Sequence, residues 1–158
     1  MREVLLHRPE GGLFPDGAQF LSWSKWWGSH FNDAREWVKG QVMLNGVMMG
    51  QHTGVDILTP IGTELLAPCA GKVTHAGHYP EHAGYGNFVS IEMAGPKEYT
   101  VVNVCHLAVV SVSAGDFVQV GDRLGLSGAT GNVQGPHVHI DAWAPWPAPI
   151  RWIMEDAC

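Results

Sequence analysis

The chain has 158 residues, 46% apolar and 15% charged, with Lys+Arg 9 against Asp+Glu 15 and a net charge of −6. That balance excludes a disordered chain and a polybasic nucleic-acid binder, and no apolar run approaches the roughly 20 residues of a membrane-crossing helix. The 20 glycines and 10 prolines argue for short strands and many turns rather than a helical bundle.

Residues 1–19 read as an irregular lead-in, rich in Gly and Pro. The opening Met1–Glu10 is too polar and too short in apolar length for a signal peptide. Trp23, Trp26, Trp27, Phe31, Ala34, Trp37 and Val38 fall at helical spacing, interrupted by Gly28 and Ser29. A short strand near 20–26 and a short helix near 31–39 are expected there. The tryptophans either pack on a sheet or face a substrate or partner. From Val55 the pattern turns to short β-branched or alternating runs. They cover Val55–Leu58, Glu64–Ala67, Gly71–Ala76, Asn87–Met93, Thr100–His106, Phe117–Val120 and His137–Trp143. Gly- and Pro-bearing turns separate them, so an antiparallel sheet assembly is expected. Pro145, Pro147 and Pro149 end the last run. The three cysteines, Cys69, Cys105 and Cys158, show neither CxxC spacing nor a disulfide framework.

Two clusters carry chemistry. One is His52-Thr53-Gly54-Val55-Asp56, the other Gly135-Pro136-His137-Val138-His139. Side chains two apart on a strand share a face, so His137 and His139 can address one point. His52 and Asp56, four apart, also share a side, with Gly54 and Pro60 arguing against a helix there. Imidazole nitrogens plus one carboxylate, with a position left to water, are the donor set of a catalytic zinc site.

With these motifs in place the sequence resembles the lysostaphin/LytM-like zinc metallopeptidases, from about Trp26 to Trp152. His52-Thr53-Gly54-Val55-Asp56 matches the family's first signature. The match continues through Pro60-Ile61-Gly62-Thr63, Gly71-Lys72-Val73, Tyr85-Gly86-Asn87-Phe88-Val89, His106-Leu107, Gly115–Gly121, Thr130-Gly131 and Gly135–His139. The resemblance implies zinc as cofactor, with His52, Asp56 and His139 as ligands and His106 and His137 as catalytic histidines outside the metal's coordination. It implies an endopeptidase acting on a peptidoglycan stem or cross-bridge peptide, outside the cytoplasm, in the cell wall. Zinc would lower the pKa of a bound water toward about 7 and polarise the scissile carbonyl. One histidine would move protons and the other hold the oxyanion, in an order the sequence leaves open, as it does the peptide bond cut. Three positions depart from the family. The stretch Gln41–Gln51 has no tyrosine, Val104-Cys105 precedes His106 where Tyr-x is usual, and Asp141 stands where Glu is usual. Asp141 is either an acceptor behind a ligand histidine or a solvent-facing carboxylate.

The expected fold is α+β and β-rich: an antiparallel sheet as the floor of a groove, loop walls, and a short N-terminal helix. Residues 20–158 would form one catalytic domain. The walls would come from the segment before His52, the Gly77–Tyr85 loop and the region around Ala129–Gln134. Tyr79, Tyr85 and Trp143 would line the groove, core packing being the alternative for Trp143. A monomer is expected, without nucleic-acid or membrane partners, and a phage lysin, tail-associated lysin or trimmed catalytic domain fits the absence of a leader. Other readings are a second metal cluster at His75, His78 and His82, a cysteine peptidase using Cys69 or Cys105, and a non-catalytic peptidoglycan-binding or amidase-activating domain of the same fold. On a regular strand Cys105, next to His106, would face away from the site.

Overall fold

β-Branched side chains lose χ1 freedom in a helix and pack well on a pleated surface. The valine- and isoleucine-rich runs after residue 54 accordingly form strands. The computed structural model describes residues 4–8, 37–38, 41–44, 47–49, 54–95, 100–133, 135–143 and 150–154. In chain order the strands are β1 (Val4–Arg8), β2 (Trp37–Val38), β3 (Gln41–Leu44), β4 (Val47–Met49), β5 (Gly54–Leu58), β6 (Glu64–Leu66) and β7 (Gly71–His78). There follow β8 (Asn87–Met93), β9 (Val101–Val110), β10 (Phe117–Val118), β11 (Arg123–Ser127), β12 (His137–Trp143) and β13 (Ile150–Met154), with a 3-10 turn at Pro80–Tyr85 before β8.

Strands β5 to β12 make one sheet, antiparallel throughout, in the order β10-β7-β8-β9-β11-β6, with β12 against β9 and β5 against β12. One edge of β9 is shared between two partners. Val101–Cys105 pair with β12, and Leu107–Val110 pair with β11. His106 sits at the changeover with φ +70°, the one positive φ outside glycine among the described residues. On the other edge of β9 the β8 ladder slips at the same place, from Asn87–Leu107 to Val89–Val104. Phe88 thus opposes both Cys105 and His106. This is a β-bulge, a device that bends a strand and re-aims a side chain.

The period of two divides β12 cleanly. Val138, Ile140 and Ala142 are buried in the hydrophobic core with Ile57, Val73, Val89, Ile91, Val102, Val104 and Leu124. His137, His139 and Asp141 take the opposite face. Burial of each Val or Ile on the core face stabilises the sheet by about 1.5–3 kcal/mol. That makes β12 a firm base for its polar side.

The β-rich antiparallel fold is as expected, and Asn87–Met93 and His137–Trp143 have the bounds expected of them. Other elements differ from expectation or lie outside the described residues. Leu6 on β1 is fully buried in the same core, and β1 pairs in parallel with β13, so residues 4–8 are not an irregular lead-in. The short apolar run Val4–Leu6 was masked by the Gly and Pro that follow it. The helix expected near 31–39 lies outside the described residues except at Trp37–Val38, which are extended and pair with Gln41–Val42. The strand expected near 20–26 lies outside them entirely. Strand β11 was not anticipated, because its two glycine-flanked leucines give a run too short to register.

Candidate active site

Strand pairing assembles the site. In the β12–β5 ladder His139 is the register partner of Asp56, and directly opposed residues of an antiparallel pair share a face. His139 Nδ1 lies 2.9 Å from Asp56 Oδ1, and His137 Nε2 is 3.7 Å from the same oxygen. The His106 ring centroid is 4.7 Å from that of His137 and 6.2 Å from that of His139. Four of the five expected site residues therefore converge, all of them buried. The fifth, His52, lies outside the described residues.

Asp141 is fully buried, which removes the solvent-facing alternative. Its Oδ2 accepts from Tyr85 Oη at 2.6 Å and faces His139 Nε2 at 3.2 Å. Its Oδ1 accepts from Asn103 Nδ2 at 2.7 Å and Trp143 Nε1 at 3.2 Å. Burial alone would raise this carboxyl, but His139, Tyr85 and Asn103 together hold it below the usual carboxylate range. Tyr85 also stacks on the His139 ring, with centroids 6.1 Å apart. Trp143 reaches the site through its indole N–H.

His139 is thus held between two carboxylates. Burial would lower its pKa, yet the hydrogen bonds to Asp141 and Asp56 and their charges prevail and raise it to about 10. Carboxylates only accept, so both ring nitrogens carry protons in this state. His106 is the opposite case. Burial, then the neighbouring His137 and His139, lower its pKa to about 4. Its Nδ1 lies 2.8 Å from the Thr130 carbonyl, and His137 Nδ1 lies 2.9 Å from the Gly135 carbonyl. A carbonyl cannot donate, so each Nδ1 carries the hydrogen. In neutral His106 the lone pair is then on Nε2.

Cys105 does not face away from the site. The ladder makes it the register partner of His139, because the bulge puts Cys105 and His106 together opposite Phe88. Burial, then Asp141 and Asp56, raise its thiol well above the ordinary value, and burial pushes Cys69 up to about 12. Neither is a thiolate near neutral pH, which removes the basis of the cysteine-peptidase reading. His75 and His82 join Tyr79, Tyr85 and Phe88 in an aromatic cluster along the site, His82 stacked on Tyr85 at 5.8 Å.

Among the described residues no group of three or more His, Cys, Asp or Glu is arranged to hold a metal ion. The donor pair Asp56 Oδ1 and His139 Nδ1 nevertheless fits one. An oxygen and an imidazole nitrogen face each other across a single proton, which a divalent cation can displace. Asp141 behind Nε2 is the carboxylate support usual for a metal-bound histidine.

Sequence reasoning did not find Asn103, nor the contribution of Thr130. Counted back from His106, the period of two turns Asn103 away from the site along with Cys105, and it is the bulge at His106 that brings both to the face of His139 and Asp141. Thr130 acts through its main-chain carbonyl, which leaves no residue-type signal.

Residues 50–146 match the model of Peptidase family M23. The chain is similar to lysostaphin of Staphylococcus simulans, 35% identical over 95 residues, covering 60% of this chain and 18% of that protein. It is also similar to the peptidoglycan DD-endopeptidase ShyA of Vibrio cholerae, 36% identical over 90 residues, covering 57% and 20%. The chain spans about a fifth of the length of the curated relatives it matches. The crystal structure of the lysostaphin catalytic domain superposes with a TM-score of 0.56 at 29% identity, covering 73% of this chain and 76% of that one. A zinc-containing peptidase from Vibrio cholerae superposes with a TM-score of 0.59 at 28% identity, covering 77% and 33%. With the family model matched over more than half its length, and with this fold, the chain belongs to Peptidase family M23.

Proposed function

We propose that the chain is a zinc-dependent endopeptidase that hydrolyses peptide bonds in bacterial peptidoglycan cross-links and acts in the cell wall, outside the cytoplasm. Its catalytic domain would be a single unit that includes β1. Asp56, His139 and His52 would hold the metal, which when bound supplies Lewis-acid activation of water and carbonyl.

The observation that carries this reading is the pair of fixed tautomers beside Asp56 and His139. His106, held neutral by burial and with Nδ1–H on the Thr130 carbonyl, offers Nε2 as a base. It would take a proton from the attacking water and return it to the leaving amine. His137 has Nδ1–H spent on Gly135, so it can donate to a developing oxyanion only with Nε2 also protonated. Asp141 would keep the His139 ring turned so that Nδ1 faces Asp56.

The homology to lysostaphin and to DD-endopeptidases supports a peptidoglycan substrate. Purified peptidoglycans of several cross-link types, incubated with zinc-loaded protein, should yield new amino termini from at least one type. If none is cut while stoichiometric zinc is bound, the endopeptidase reading fails and a binding or amidase-activating role of the same fold takes its place.

A further inference from the structure

We propose that Thr130 is a positioning residue for His106, its hydroxyl locking the main-chain carbonyl that fixes the His106 tautomer. The inference rests on the reading of His106 as the proton-transfer group. Asn87 and Leu107 are register partners in the β8–β9 ladder, one residue beyond His106. The Thr130 hydroxyl joins both of them. It donates to the Leu107 carbonyl at 2.8 Å and accepts from the Asn87 amide at 3.0 Å. One short side chain therefore ties its own peptide to two strands at the bulge that aims His106.

The main chain around Thr130 is held from a second side. The Asn132 amide donates to the Gly84 carbonyl at 3.0 Å. Gly86 and Gly131, with φ +67° and +85°, stand so close that a methyl group on Gly86 would collide with the Thr130 main chain, and one on Gly131 with Gly86. Two glycines in left-handed conformations thus let the two loops touch. The product of all these contacts is a carbonyl oxygen fixed 2.8 Å from His106 Nδ1. Only in the Nδ1–H tautomer does neutral His106 keep a lone pair on Nε2 to accept a proton. Without the hydroxyl, the Asn87 amide loses its partner and the carbonyl is no longer held in register. The ring is then free to exchange tautomers.

The test uses the full chain, its Thr130→Val and Thr130→Ser variants, and two independent readouts. Nitrogen-15 spectra of the imidazoles in metal-free protein report the tautomer, with His106 assigned from the signal lost in His106→Gln. The parent and Thr130→Ser should show His106 as the Nδ1–H form, and Thr130→Val a mixture of the two forms. Zinc-loaded Thr130→Val on purified peptidoglycan should lose about tenfold or more in kcat, with KM within about twofold and zinc content unchanged. Thr130→Ser should restore kcat. An Nε2–H tautomer in the parent, or a pure Nδ1–H tautomer in folded Thr130→Val, would overturn the proposal. So would loss of the Nδ1–H form in Thr130→Ser. The parent and serine spectra decide the matter even where the valine variant does not fold. If the zinc-loaded parent cuts no peptidoglycan, the functional reading fails, while the spectra still decide the role of Thr130.

Discussion

His139 and Asp56 oppose each other across β12 and β5, Nδ1 to Oδ1 at 2.9 Å, while the other nitrogen of the same ring is turned to Asp141. One imidazole therefore sits between two carboxylates and keeps two protons in the metal-free protein. The metal's proposed place is the place of one of those protons.

That competition gives the first prediction. His139 has its pKa raised to about 10, so at neutral pH zinc binding to metal-free protein should release about one proton from this ring. Apparent zinc affinity should rise about tenfold per pH unit between neutrality and about 10, as far as His139 governs it. Titration calorimetry in buffers of differing ionisation enthalpy measures the proton count. Zinc uptake with no proton release at neutral pH would remove His139 from the ligand set.

His52→Ala, Asp56→Ala and His139→Ala should each abolish zinc binding and peptidase activity together. Three protein donors are the minimum of a catalytic zinc site, so none is spare. Elemental analysis checks this. Stoichiometric zinc in any one variant would show that residue not to be a ligand.

Asp141 is the buried acceptor for four donors, and its replacement should act through His139. Asp141→Asn should weaken zinc binding by about 10–100-fold, the usual cost of losing a carboxylate behind a metal-bound histidine. Tyr85→Phe removes one of the four donors and should cost less, leaving zinc stoichiometric. Equal zinc affinity in Asp141→Asn and the parent would reduce Asp141 to a structural role.

The metal-free protein should be most stable near neutral pH, and the sign differs for each group. His106 is depressed to about 4 by burial, so its contribution is full above about 6.5 and is lost as pH falls from there through about 4. Asp141, held below its ordinary value, likewise contributes above the carboxylate range and is lost at lower pH. His139 is raised to about 10, so its contribution is full below about 6.5 and is lost as pH rises through about 10. Thermal melts of the metal-free protein from pH 4 to 10 should fall at both ends. Replacing His139 by Gln should flatten the alkaline side selectively.

What the sequence showed, and what it did not, follows one physical line. The face shared by His137 and His139 is a consequence of the period of two, and the structure keeps it because Val138, Ile140 and Ala142 bury the other face. The approach of Asp56 to His139 needs strand register, which residue types alone do not give. The position of Cys105 was misjudged for a related reason. Alternation counts residues, and a bulge at His106 adds one. The environment of Asp141 was legible only in part: Trp143 lies two residues on along the same strand, but Tyr85 and Asn103 arrive from two other stretches of chain.

The two histidines outside the proposed ligand set give the last prediction. His106→Ala and His137→Ala should retain zinc but lose about 10²–10⁴ in kcat, since each removes a proton-transfer or oxyanion-stabilising group. KM should change far less, because the lost interaction belongs to the transition state. His106 should also set a pH dependence. In its proposed role His106 is needed as a neutral base, so its protonation would shape the acid limb, and its depressed pKa of about 4 should let turnover persist well below pH 6 while zinc stays bound. Zinc content measured at each pH separates metal loss from titration of His106. Near-parental turnover in zinc-replete His106→Ala would remove it as the base, and the same result for His137→Ala would remove the oxyanion donor.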